Sequence, residues 1–155
     1  MSDQNVIQAT FDEFAKSAGC SKKSGSWYAR SPETIVVLNL QKSQYGPQYY
    51  VNVAIWLRAL GDVEAPKQNK CHIRTRLTRL VPPDDEKRLA ALLDLDNGVD
   101  DSSRRDELLA VLQGHLLTVL KASSTIGGLR SGEGRQLVLK SLVTGPAQQL
   151  LASVS

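Results

Sequence analysis

Three short stretches hold the side chains best suited to binding or transferring a group. Asn39 and Gln41 lie two residues apart in Thr34–Lys42, and Tyr50, Asn52 and Trp56 lie an even number of residues apart in Tyr49–Arg58. His72, Arg74 and Arg76 are evenly spaced in Cys71–Leu80. Residues an even number apart in an extended strand share one face, so each set points one way. Arginine guanidinium groups grip carboxylate or phosphate with two parallel hydrogen bonds. Amides orient such a ligand, and aromatic rings stack on a base or another ring. Asparagine and glutamine in mid-strand carry the most weight, because Asn is depleted in strands. The same alternation also suits a sheet face that simply meets water.

Other reactive groups do not assemble in the sequence. His72 and His115 are the only histidines, and no further ligands at zinc spacing accompany them. His115 falls in an apolar helical pattern, where a satisfied core or boundary histidine is expected. Cys20 and Cys71 are far apart and form no CxxC, which suits reduced intracellular thiols rather than a disulfide framework or a nucleophile. Gly128–Arg135 (GLRSGEGR) resembles a phosphate loop but lacks the Walker spacing and the terminal Gly-Lys-Ser/Thr, so it reads as an interhelix loop. No catalytic residue, metal site or cofactor is expected.

The elements that carry the three stretches follow from periodicity. Val6, Ile7, Phe11, Phe14 and Ala18 recur at helical spacing, predicting a helix over 5–18 with Gly19 behind it. Ser21–Ser26 reads as a basic turn. From Trp27 the period falls to two, predicting strands at Trp27–Arg30, Thr34–Lys42, Tyr49–Arg58 and Cys71–Leu80. Their short connections favour an antiparallel meander. Alternation sends Val36, Leu38, Leu40, Val51, Val53, Ile55, Cys71 and Ile73 to one face. It sends the polar set to the other, with Ile35, Val37 and Ala54 among it.

Beyond Val81-Pro82-Pro83 the pattern is helical. Asp84, Asp85 and Glu86 open one helix, where acidic groups suit the positive end of the helix dipole. Ser102/Ser103 open another, with Asp106 placed for a capping box, and Gly132–Thr144 and Ala147–Ala152 give two more. The chain is expected to be one α+β domain over 1–155, with a helix-plus-sheet half at 1–81 and a helical half at 82–155. Three or four C-terminal helices should cover the apolar face of the four-stranded sheet.

Composition agrees with a single packed domain. The chain has 155 residues, 41% of them hydrophobic and 23% charged, with a formal net charge of +3. That excludes a disulfide scaffold, a collagen-like repeat and a coiled-coil rod. The charge is uneven: residues 1–80 carry 11 Lys/Arg against 6 Asp/Glu, and residues 81–155 carry 8 against 10. A basic first half suits an acidic partner, a phosphate ligand or nucleic acid. The first twenty residues lack the apolar core of a signal peptide, and no stretch reaches membrane-spanning length, so a cytoplasmic location is expected.

Several short motifs occur together: Gly19-Cys20, Lys22-Lys23, Trp27-Tyr28, Asn39-Leu40-Gln41-Lys42-Ser43, Tyr50-Val51-Asn52-Val53 and Cys71-His72-Ile73-Arg74-Thr75-Arg76-Leu77. In combination over about residues 8–130 they resemble a bacterial domain-of-unknown-function family, number four-three-zero-four. Cys20 stands where that family more usually has an aromatic, and Ala54 where it has glycine, differences of packing more than chemistry. The resemblance implies a small bacterial α+β protein and brings no established activity. By analogy with other small domains of this kind, toxin neutralisation is one expected role.

The functional expectation is a non-enzymatic binding protein. Its candidate residues are Asn39, Gln41, Tyr50, Asn52, Trp56, His72, Arg74 and Arg76. An acidic protein or an anionic small ligand would be the partner. An enzyme acting on a phosphate-containing substrate through His72, and a binder of single-stranded nucleic acid, are the alternatives.

Overall fold

Asn5 starts the first helix. Its side chain accepts a hydrogen bond from the Gln8 backbone N–H at 3.0 Å, and the Gln8 side chain accepts one from the Asn5 backbone N–H at 3.0 Å. This reciprocal cap satisfies two donors that the first turn leaves open. Helix α1 (Val6–Ser17) buries Ile7, Phe11 and Phe14, and Gly19 turns the chain out of it at φ +84. The computed structural model describes residues 4–153.

The segment expected as a basic turn is a hairpin. Strand β1 (Ser21–Lys23) pairs antiparallel with β2 (Ser26–Arg30). Ser24 and Gly25 have φ values of +52 and +82 and form the two-residue link, whose twist matches the flanking strands. All three residues of β1 are exposed, so no apolar alternation marks the strand.

Strands β3 (Thr34–Lys42), β4 (Tyr49–Leu57), β5 (Ile73–Arg76) and β6 (Leu142–Val143) complete the sheet. The order is β1-β2-β3-β4-β5-β6, antiparallel throughout, so the sheet has six strands and not the expected four. β5 is shorter than predicted, because Leu77–Arg79 tightens into a 3₁₀ turn that buries Leu77. β6 comes from a stretch expected to be helical. Its helix stops at Leu139, where the Ser141 hydroxyl bonds the Leu137 carbonyl at 2.7 Å. Val143 and Thr144 are β-branched and pair with or bond to the β5 edge.

One sheet face is apolar, as alternation predicts. Val36, Leu38, Val53, Ile55 and Ile73 are buried against α1 and the C-terminal helices. Those helices are α2 (Pro83–Leu92), α3 (Asp101–Val111), α4 (Leu117–Ala122), the one-turn α5 (Ile126–Leu129), α6 (Gly132–Leu139) and α7 (Gly145–Ser153). A π-helical turn, Leu112–Leu116, joins α3 to α4. It keeps both leucines in the core and sets His115 Nε2 3.1 Å from Asp85 Oδ2. The capping box expected between Ser103 and Asp106 is not formed, because the helix begins at Asp101 and Ser103 lies within its first turn.

Arg104, 1% exposed, is the largest fully buried side chain. Its guanidinium donates to the carbonyls of Leu92 at 2.7 Å and Asn97 at 2.9 Å, closing the C-terminal end of α2 and the turn beyond it. None of the described helices is long and apolar enough to cross a membrane.

Candidate functional site

The register places four polar residues in one line across four strands. Ser26 on β2 lies opposite Asn39 on β3, Asn39 opposite Asn52 on β4, and Asn52 opposite Arg76 on β5. Directly opposed side chains in a sheet stand close enough to bond, and these form a chain. Asn39 Nδ2 donates to Ser26 Oγ at 3.4 Å, and Asn52 Nδ2 donates to Asn39 Oδ1 at 3.2 Å and to Gln41 Oε1 at 2.9 Å. Arg76 Nε donates to Asn52 Oδ1 at 3.4 Å. Asn52 sits at the centre, 6% exposed, while Gln41 and Arg76 are exposed at the end of the line.

Tyr50 completes this group. It lies opposite Gln41, and the Arg76 guanidinium stands 4.2 Å over its ring. A cation over a tyrosine face gains about 0.5–1 kcal/mol at such an exposed position. Arg76 is therefore held from two sides, by Asn52 at Nε and by Tyr50 beneath. Its two terminal nitrogens make no ion pair or hydrogen bond with any described residue, nor does Gln41 Nε2. The result is a fixed fork of donors beside a free amide donor, which is the geometry an oxyanion requires.

The remaining candidates separate from this group. Trp56 and His72 lie at the other end of the face, ring centroids 4.2 Å apart. The indole N–H donates to the Gly61 carbonyl at 2.9 Å, and the backbone N–H of Leu57 donates to His72 Nδ1 at 2.9 Å. Burial holds the His72 pKa below the usual histidine value. Trp56, Tyr28, Ile35, Val37, Ala54 and Cys71 form a second, smaller apolar cluster under the loop that carries Ala65 and Pro66. The face read as polar is thus polar only at one end. Cys71 belongs to this cluster and not to the Ile73 face, because the strand begins after it. Its thiol is pushed up to about 12 by burial, which makes it a poor nucleophile.

Arg74 stands between the two ends, opposite Ala54, and donates to the Asn69 carbonyl at 3.3 Å. With Arg76, Arg79 and Lys140 it lines a groove of about 390 Å³ between β5 and the α6–β6 turn. Thr75 Oγ1 donates to the Lys140 carbonyl at 3.3 Å and ties the two walls together. A second hollow on the far side of Arg76 is lined by Gln41, Lys42, Tyr45 and Tyr50. Neither lining contains an acidic residue, and none of these cations forms an ion pair with a described residue. Sequence reasoning missed Arg79 and Lys140. Arg79 lies past the end of β5, and Lys140 was placed inside a helix.

A family model described as Domain of unknown function (DUF4304) matches residues 11–122. The chain belongs to this family. No curated protein and no solved structure gives a significant match. The DUF4304 segment runs from α1 to the end of α4, so it contains the whole polar line with Arg74 and Arg79. Lys140 and the second wall of the groove lie beyond it.

The Gly128–Arg135 run is structural. An added Cβ at Gly134 would run into the Gly128 carbonyl oxygen, so the absence of a side chain there lets α5 and α6 approach backbone to backbone.

Proposed function

We propose that this DUF4304 protein is a non-enzymatic binding protein that holds an anionic group, carboxylate or phosphate, on the Arg76 end of its sheet. Arg76 supplies a two-pronged charged grip, Gln41 a neutral donor, and Asn52 with Tyr50 the orientation of Arg76. Arg74 adds charge from the adjoining groove. Neutralisation of a toxin by occlusion is one binding role of this kind. The observation that carries the proposal is the fixation of Arg76 by Asn52 and Tyr50 with its terminal nitrogens left unpaired. A long side chain immobilised before its ligand arrives loses less entropy on binding.

His72 does not support an enzymatic reading. Its Nδ1 is occupied by a backbone donor, its ring packs on Trp56, and no hydrogen bond or ion pair joins it to a described carboxylate. General acid–base work needs a positioned proton carrier within reach of substrate. Stacking on single-stranded nucleic acid is also poorly supported, since Tyr50 and Trp56 already carry partners on their rings.

The test is calorimetric titration of inorganic phosphate and of succinate into the native protein and into Arg74→Ala/Arg76→Ala. The proposal expects binding that weakens about tenfold or more in the double variant, the loss of one to two charge-assisted contacts. Unchanged affinity in the double variant removes the site.

A further inference from the structure

We infer that the groove between β5 and the α6–β6 turn docks an acidic, aliphatic-bearing segment of a partner protein. This rests on the anion-binding reading above and names the class of its ligand. Charge is the first ground. Arg74, Arg76, Arg79 and Lys140 line the groove, no acidic side chain joins them, and none has an ion-pair partner among the described residues. Unpaired like charges gathered in one concavity raise its potential and attract an acidic partner.

The second ground is apolar. Leu139 is 68% exposed and Leu142 is 70% exposed, and both line this groove. Tyr45, 89% exposed, lines the adjoining hollow beyond Arg76. Three of the four large apolar side chains exposed among the described residues therefore border one basic surface, the fourth being Val63. Scattered exposed leucines need no account, but a cluster rimmed by charge marks an interaction surface. Leu142 lies directly opposite Arg74 in the β5–β6 register, so aliphatic and cationic side chains stand side by side on one sheet face, and both line the groove. A segment alternating carboxylate and aliphatic side chains fits that arrangement.

The same features favour polypeptide over nucleic acid. Leu139 and Leu142 offer no π face to a base, Tyr50 is covered by Arg76, and the exposed ring of Tyr45 lies in the adjoining hollow and not in the groove itself. The leucines lie outside the DUF4304 match while Arg74, Arg76 and Arg79 lie inside it. Anion binding would then belong to the family segment, and choice of partner to the wall that this chain adds.

The experiment uses fluorescence anisotropy with three probes: a short labelled peptide alternating Glu and Leu, one of equal charge alternating Glu and Ser, and an oligothymidylate. The Glu–Leu peptide should bind best. Leu139→Ser/Leu142→Ser, at two largely exposed positions, should weaken it about tenfold while leaving inorganic phosphate binding unchanged. Arg79→Ala/Lys140→Ala should weaken both peptides. Equal binding of the two peptides, indifference to the leucine variant, or tighter binding of oligothymidylate overturns the inference. If phosphate still depends on Arg74 and Arg76 in that case, the anion-binding reading stands alone. If the Glu–Leu peptide binds through the leucines while Arg74→Ala/Arg76→Ala leaves phosphate binding untouched, it is the anion reading that falls.

Discussion

Asn52 is 6% exposed and bonded to three neighbours, which makes Asn52→Leu an informative perturbation. Leucine is close to Asn in size and removes bonds to Asn39, Gln41 and Arg76 together. Each such bond contributes about 0.5–1.5 kcal/mol net, and the one to a charged group somewhat more. Gln41 and Arg76 are exposed and recover water, while Asn39 keeps its contact with Ser26. Burying an aliphatic side chain in place of the amide returns about 1.5–3 kcal/mol. Stability should therefore change by no more than about 1 kcal/mol, or about 4 °C in Tm for a chain of this length. Anion affinity should still fall, because Arg76 loses the bond that orients it. Re-immobilising such a side chain costs about 0.5–1.5 kcal/mol, or roughly twofold to twelvefold in Kd. Thermal unfolding by circular dichroism and phosphate titration on one preparation give both numbers. A fall of about 10 °C with unaltered phosphate affinity would refute the reasoning, since the line would then serve only to hold strands together.

Other consequences follow from the fold. Arg104→Ala should destabilise the protein by about 3–5 kcal/mol in urea unfolding, because it opens a cavity and strips donors from the buried carbonyls of Leu92 and Asn97. Burial disfavours the charged form of His72, so its contribution to stability is full above the unfolded pKa of 6.5 and declines as pH falls from there toward the lowered folded value. His72→Gln should flatten that part of the stability–pH curve, as followed by denaturant midpoints. Gly134→Ala should cost about 1–3 kcal/mol, since its Cβ would enter the Gly128 carbonyl; a neutral effect in thermal unfolding would contradict the close approach of α5 and α6.

The central sheet was legible because alternation in β3 and β4 is long and rich in β-branched residues, and face assignment along such strands is unambiguous. The same alternation brought Asn39, Asn52 and Arg76 to one face. Their alignment in a single line was not legible, because register depends on connection geometry that spacing does not encode. Ser26 was missed because it fell in the stretch read as a basic turn, one residue before the expected strand. β1 was hidden by its uniform exposure, and β6 by a sequence whose leucines fit a helical period as well as a strand. Trp56 and His72 were grouped with the arginines because alternation assigns a face and not a position along it. A loop between Gly61 and Lys70 folds over that end and closes it, a long-range contact with no local signature. Arg104 gave no sign of burial, as it stands beside Arg105 in a helix whose other charged residues face solvent.

The claim that Arg76 and its amide neighbours form an anion site is tested most directly by a nitrogen-15 NMR titration with inorganic phosphate, following side-chain amide and arginine Nε signals. Saturable shifts should concentrate at Gln41, Asn52, Arg74 and Arg76, and leave Trp56 and Arg104 unmoved. Absence of shifts at Arg76 and Gln41, or shifts centred on any other part of the molecule, would contradict it.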